Sequence, residues 1–98
     1  VDIFCSKENS QLNVKLCGRL DSASFHDLEA TLKEEIKGMD ELVFDFSQLE
    51  YLSSAGLRVL LASHKLMSGK MKILNVNEMI IDIFNMTGMS TIFDITRG

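Results

Sequence analysis

No proline occurs anywhere in the 98 residues, which excludes a rigid proline linker and a cis-proline turn. Lysines and arginines number ten against 14 acids, for a net charge of −4, and they never gather in runs of more than two or three. Nucleic acid and anionic membranes both demand a concentrated basic face. Neither is expected as a partner. No apolar run approaches a membrane span; the longest in the serine-rich middle is Val59-Leu60-Leu61-Ala62. No signal peptide is visible, and the expectation is a soluble, cytoplasmic protein.

Cysteine is scarce as well. If residues 3–6 and 12–17 pair as a hairpin turning near Asn9-Ser10, Cys5 falls opposite Val14 and Cys17 opposite Asp2. No disulfide is expected from that register. Two thiols without histidine at ligand spacing make no zinc site, and no pair of carboxylates has a spacing that suggests acid–base work or metal binding. The G-x-G-x-x-G and P-loop patterns are missing, so nucleotide binding has no support. No cofactor or metal is expected.

What is present is 46% apolar residues, enough for one core and one domain over residues 1–98. "QLNVKLC" at 11–17 alternates Leu12, Val14 and Leu16 against Asn13 and Lys15, the period of a half-buried strand, with "DIFC" at 2–5 as its antiparallel partner. Phe25, Leu28, Leu32 and Ile36 recur at helical spacing, with Ser22 or Ser24 as the cap and Gly38 at the end. "LVFDF" at 42–46 reads as a central strand buried on both faces. A helix then runs from about Ser54 to Ser68, a strand over 71–76, a helix capped by Asn77 over 78–87, and a last strand over 91–95. The order β-β-α-β-α-β-α-β predicts an α/β fold: a mixed sheet with helices packed against it and parallel neighbours across the helical crossovers. Sites in such sheets lie beyond the carboxyl ends of the strands, where Asp21 and Ser53-Ser54 both fall.

The junction Ser53-Ser54-Ala55-Gly56 therefore carries the functional question. Serine at a helix start is most often an N-cap, and Ser54 fits that reading. It also fits a modification site: small neighbours let another protein approach the hydroxyl, and a phosphate there meets free amides and the positive helix end. A nucleophile needs a base within reach. His64 sits about 15 Å further along the same helix at 1.5 Å per residue, and His26 lies near the start of another helix. With no G-x-S-x-G elbow either, a hydrolase is the weakest reading. Asp45, inside an apolar strand, is expected to be partly buried or to contact the strand end. Met67, Met71, Met79, Met86 and Met89 read as core fillers, with Met86 and Met89 hinting at a contact surface.

"YLSSAGLRVLL" closely resembles the signature of the STAS domain, in particular bacterial anti-sigma factor antagonists of the SpoIIAA type. "GRLDSAS" resembles their G-x-L-D segment, and "IFNMTGM" their F-x-x-[ST]-G-[LM]; the three fall in the family's order and cover nearly the whole chain. The resemblance implies a STAS-like sheet of four to five strands with helices on one side. It implies a non-enzymatic switch that binds an anti-sigma factor with serine kinase activity and releases a sigma factor. Phosphorylation of one serine breaks the complex and a serine phosphatase restores it. Aligned on Gly56, the acceptor is Ser54, with Ser53 as the alternative. Asp21 falls on the aspartate that helps engage the kinase, and Ser53, Gly56, Leu57 and Arg58 border the docking surface. Many members have aspartate where this chain has Ser53. The alternative role is a STAS module in a signalling scaffold or a transporter assembly.

Overall fold

The computed structural model describes residues 1–98. Along the chain run β1 (Asp2–Glu8), β2 (Gln11–Leu20), α1 (Phe25–Glu35), β3 (Glu41–Leu52), α2 (Ser54–Leu66), β4 (Met71–Val76), α3 (Glu78–Thr87), a 3₁₀ turn at Met89–Thr91 and β5 (Asp94–Arg97). The five strands form one sheet in the order β1-β2-β3-β4-β5. Only the first pair is antiparallel; the other three are parallel, joined by helices. This is the element order expected from the pattern.

Alternation builds the core. On β2, Leu12, Val14, Leu16 and Leu20 are buried; on β3, Leu42, Phe44, Phe46, Leu49 and Leu52; on β4, Met71, Ile73 and Val76. They meet Leu28 and Leu32 of α1, Val59 and Leu60 of α2, and Ile80, Ile81 and Phe84 of α3 in one hydrophobic cluster. The helices cover one face of the sheet only. Central strand β3 is accordingly not buried on both faces, contrary to the sequence reading. Val43 and Asp45 alternate outward to a half-exposed surface.

The hairpin register is the expected one, with Cys5 opposite Val14 and Cys17 opposite Asp2, and both thiols are free. Lys7, on the helix side of β1, pairs with Glu35 at the end of α1 at 3.1 Å. Several boundaries differ from expectation. β1 and β2 extend to Glu8 and Leu20 rather than Cys5 and Cys17. β3 runs six residues beyond Phe46, because β2 continues alongside it as far as Leu20. α2 ends at Leu66. The last strand starts at Asp94 rather than 91, because Gly88 takes a left-handed φ of 77° and the chain winds into the 3₁₀ turn first. No helix is long and apolar enough to cross a membrane.

Candidate functional site at the carboxyl edge of the sheet

Because β2, β3 and β4 run parallel, their carboxyl ends share one edge, and α1, α2 and α3 each begin there. Leu20 pairs with Leu52 at the last rung of β2 and β3, and the Ser53 amide donates to the Leu20 carbonyl at 2.9 Å. The loop carrying Asp21 and the start of α2 are thus tied together by main-chain bonds. The sequence-derived site residues come from two loops joined at that point.

Ser53, not Ser54, is the N-cap. It keeps an extended backbone (φ −92°, ψ 173°), its Oγ accepts from the Gly56 amide at 3.4 Å, and its carbonyl accepts from Leu57 at 2.9 Å. The cap belongs to the last non-helical residue; α2 begins at Ser54 as the sequence reading placed it, and only the cap moves one position earlier, to Ser53. Ser54 becomes the first helical residue. It is exposed and its hydroxyl makes no hydrogen bond within the chain. No acid lies in the first turn of α2, so the positive end of the helix dipole has no carboxylate beside it.

Gly56 is buried, and its lack of a side chain is a packing requirement. A Cβ there would lie 2.7 Å from Leu52 Cδ1 and 2.9 Å from Leu20 Cγ. Only glycine lets α2 start flush against the strand ends, so Gly56 shapes the surface from beneath. Leu57 is half-buried and packs on the core, while Arg58 is exposed one turn after Ser54, on the same side of the helix.

Asp21 organises the other loop. Its carbonyl accepts from the amides of Ser24 (3.1 Å) and Phe25 (2.9 Å), and its Oδ1 accepts from the Ala23 amide at 3.0 Å and from Ser24 Oγ at 3.1 Å. The Ala23 amide first, then Ser24 and the Arg19 charge, hold this carboxyl below the ordinary aspartate range; slight desolvation opposes them. Ser24 stands at the N-cap position of α1 yet makes no cap bond, and Ser22 makes none either. Its hydroxyl turns back toward Asp21 and Arg19 instead. The turn at 21–24 is closed by Asp21, which does what the sequence reading gave to a serine.

Two residues at this edge escaped the sequence reading. Arg19 and Tyr51 are register partners on β2 and β3, and the Arg19 guanidinium lies 4.3 Å over the Tyr51 ring. Its Nε is 3.9 Å from Asp21 Oδ2. Nothing in the linear spacing links positions 19 and 51; the strand pairing does. The histidines are elsewhere engaged: the His26 ring lies 3.9 Å from that of Phe25, His64 lies 5.7 Å from Phe93, and neither bonds to Ser54. Asp45 is half-buried on the open face, away from this edge. Burial raises its pKa, but bonds from Asn75 Nδ2 (3.1 Å) and the Ser47 amide (2.9 Å) prevail and hold it below the ordinary range. Met67 and Met71 fill the core; Met79 and Met86 are exposed on α3, and Met89 packs against the core.

The STAS domain family model matches residues 6–97. BtrV of Bordetella bronchiseptica strain RB50, provisionally named an anti-sigma factor antagonist, is 32% identical over 96 residues, covering 94% of this chain and 83% of that protein. Among solved structures, an anti-sigma factor antagonist from Mycobacterium paratuberculosis superposes with a TM-score of 0.88 at 19% identity, over 99% of this chain and 86% of that one. The Bacillus cell fate determinant SpoIIAA in its phosphorylated form gives 0.75 at 16% identity, over 96% and 90%. The chain belongs to the STAS domain family, among the anti-sigma factor antagonists.

Proposed function

We propose that this chain is a phosphorylation-controlled binding switch. In its unphosphorylated form it binds an anti-sigma factor that is itself a serine kinase, and so releases a sigma factor. The kinase transfers phosphate from ATP to Ser54 and the complex breaks; a serine phosphatase removes the phosphate. The chain performs no chemistry itself, acts in the cytoplasm, and offers Asp21, Ser53, Leu57 and Arg58 as contacts, with Gly56 supporting the surface.

The observation that carries this reading is the division of labour between the two serines. Ser53 is half-buried and its hydroxyl is taken up by the cap, whereas Ser54 is exposed and unbonded at the helix start. A phosphate on Ser54 adds about −1.5 to −2 charges beside a helix end with no acid in its first turn. The fold tolerates it while the surface seen by a partner gains negative charge. SpoIIAA, solved in a phosphorylated form, carries such a group on the same fold.

The test uses the purified cognate kinase and ATP with mass-spectrometric mapping. One phosphate is expected, on Ser54. Ser54→Ala should abolish labelling and retain binding, Ser54→Asp should weaken the complex, and Asp21→Asn should weaken it without unfolding the chain. Labelling that persists in Ser54→Ala moves the acceptor to another residue.

A further inference from the structure

The Ser24 hydroxyl lies where nothing in its usual helix-capping role would put it. Ser24 is 8% exposed, one of two buried polar residues in the chain. Its Oγ accepts from the Asp21 amide at 3.0 Å and has two acceptors for its single proton, the Arg19 carbonyl at 3.0 Å and Asp21 Oδ1 at 3.1 Å. It therefore joins the end of β2, the main chain of residue 21 and the carboxylate of residue 21. The two carboxylate oxygens are in unlike states as a result. Oδ1 takes two bonds from within the loop. Oδ2 has only Arg19 Nε at 3.9 Å, too far for a hydrogen bond, and the Arg19 guanidinium is held over Tyr51.

We infer that Ser24 is a positioning residue: it ties down one oxygen of Asp21 so that the other is presented, charged and in one direction, to a cationic or N–H donor group of the partner. This rests on the reading that Asp21 meets the partner. A carboxylate free to rotate would spend part of its time turned into the loop or paired more closely with Arg19, and each new complex would have to order it. With Oδ1 already satisfied, the partner's guanidinium or ammonium meets Oδ2 in a preset geometry. Recognition then depends on a hydroxyl the partner never touches.

Valine and threonine at position 24 have the same shape and differ by that hydroxyl. The experiment follows the Asp21 carboxyl carbon by NMR against pH in the free protein, together with the scalar couplings that report its χ1. Wild type and Ser24→Thr should titrate low and show one rotamer. Ser24→Val should titrate higher, by about half a pH unit or more, and show averaged couplings. A Ser24→Val protein with an unshifted midpoint and a single rotamer overturns the inference. Wild type alone also decides it, which matters if Ser24→Val does not fold. The Ser24 hydroxyl proton should exchange slowly at neutral pH and faster as Asp21 protonates, and a hydroxyl indifferent to that titration overturns the inference too. No partner is present in any of these measurements, so they succeed or fail apart from Asp21→Asn binding.

Discussion

Within single residues, the contrast between Ser53 and Gly56 shows how little of this site is interchangeable. Ser53→Ala removes the cap bond of α2 and should cost about 1 kcal/mol, whereas Ser53→Asp, which restores the residue common in the family, should keep the cap. Urea midpoints of the two variants distinguish them, and equal losses would mean the cap bond contributes nothing. Gly56→Ala meets Leu52 Cδ1 and Leu20 Cγ, buried side-chain atoms rather than backbone, so those side chains must shift. The expected loss is about 1–3 kcal/mol from overpacking, with a displaced α2 start. Asp45 supplies the pH dependence. Its carboxyl is held below the ordinary range in the fold. The stability it contributes is therefore present above the pKa of an unfolded aspartate and lost as pH falls through the depressed folded value. Urea unfolding at a series of pH values should show the gap between wild type and Asp45→Asn closing on acidification; a gap independent of pH would remove Asp45 from the account.

Helices α2 and α3 are fixed at their starts by different devices. Asn77 caps α3 through Oδ1, which accepts from Ile80 at 2.9 Å, and its Nδ2 donates to the Leu49 carbonyl at 3.1 Å. One side chain therefore caps a helix and pins it to the extended end of β3. Asn77→Asp keeps the cap and loses the second bond, leaving a carboxylate facing a carbonyl; Asn77→Ala loses both. Asn77→Ala should cost about 1–2 kcal/mol in urea unfolding, with Asp differing from it in the protection of α3 amides from hydrogen exchange. At the other end, Arg97 pairs with Glu78, so the short β5 is tied to the first turn of α3. Among α1, α2 and α3, only α2 has an exposed, unbonded hydroxyl in its first turn, that of Ser54.

At the scale of the molecule, the sheet has one dry face and one wet one. Phe4 and Phe44 are the same residue type in the same sheet, yet Phe4 is 58% exposed and Phe44 is fully buried. Phe44→Ala should cost about 3–5 kcal/mol, since it empties the space between β3 and the helices. Phe4→Ala should stay within about 1 kcal/mol, because a largely exposed ring loses little burial. Thermal unfolding of the two side by side measures the difference, and comparable losses would mean that something covers the outer face in solution. A helical layer on one face also explains why the site lies at an edge: every helix must start where a parallel strand ends.

The sequence by itself determined the element order, the hairpin register, the Asn77 cap and the Ser-Ser-Ala-Gly junction, because period, turn chemistry and capping are local. Tertiary structure alone decided the rest. LVFDF reads as one apolar run, and only the absence of helices on the second face turned Val43 and Asp45 outward. Gly56 looked like an opening for a partner until Leu20 and Leu52 appeared beneath it. Arg19 and Tyr51 lie 32 positions apart in the chain and meet only because β2 and β3 pair in that register. Ser24 has the sequence of a helix cap, and the nearby Asp21 carboxylate and Arg19 carbonyl drew its hydroxyl away. Each of these depends on which groups the fold brings together or leaves uncovered in space, which linear spacing does not encode.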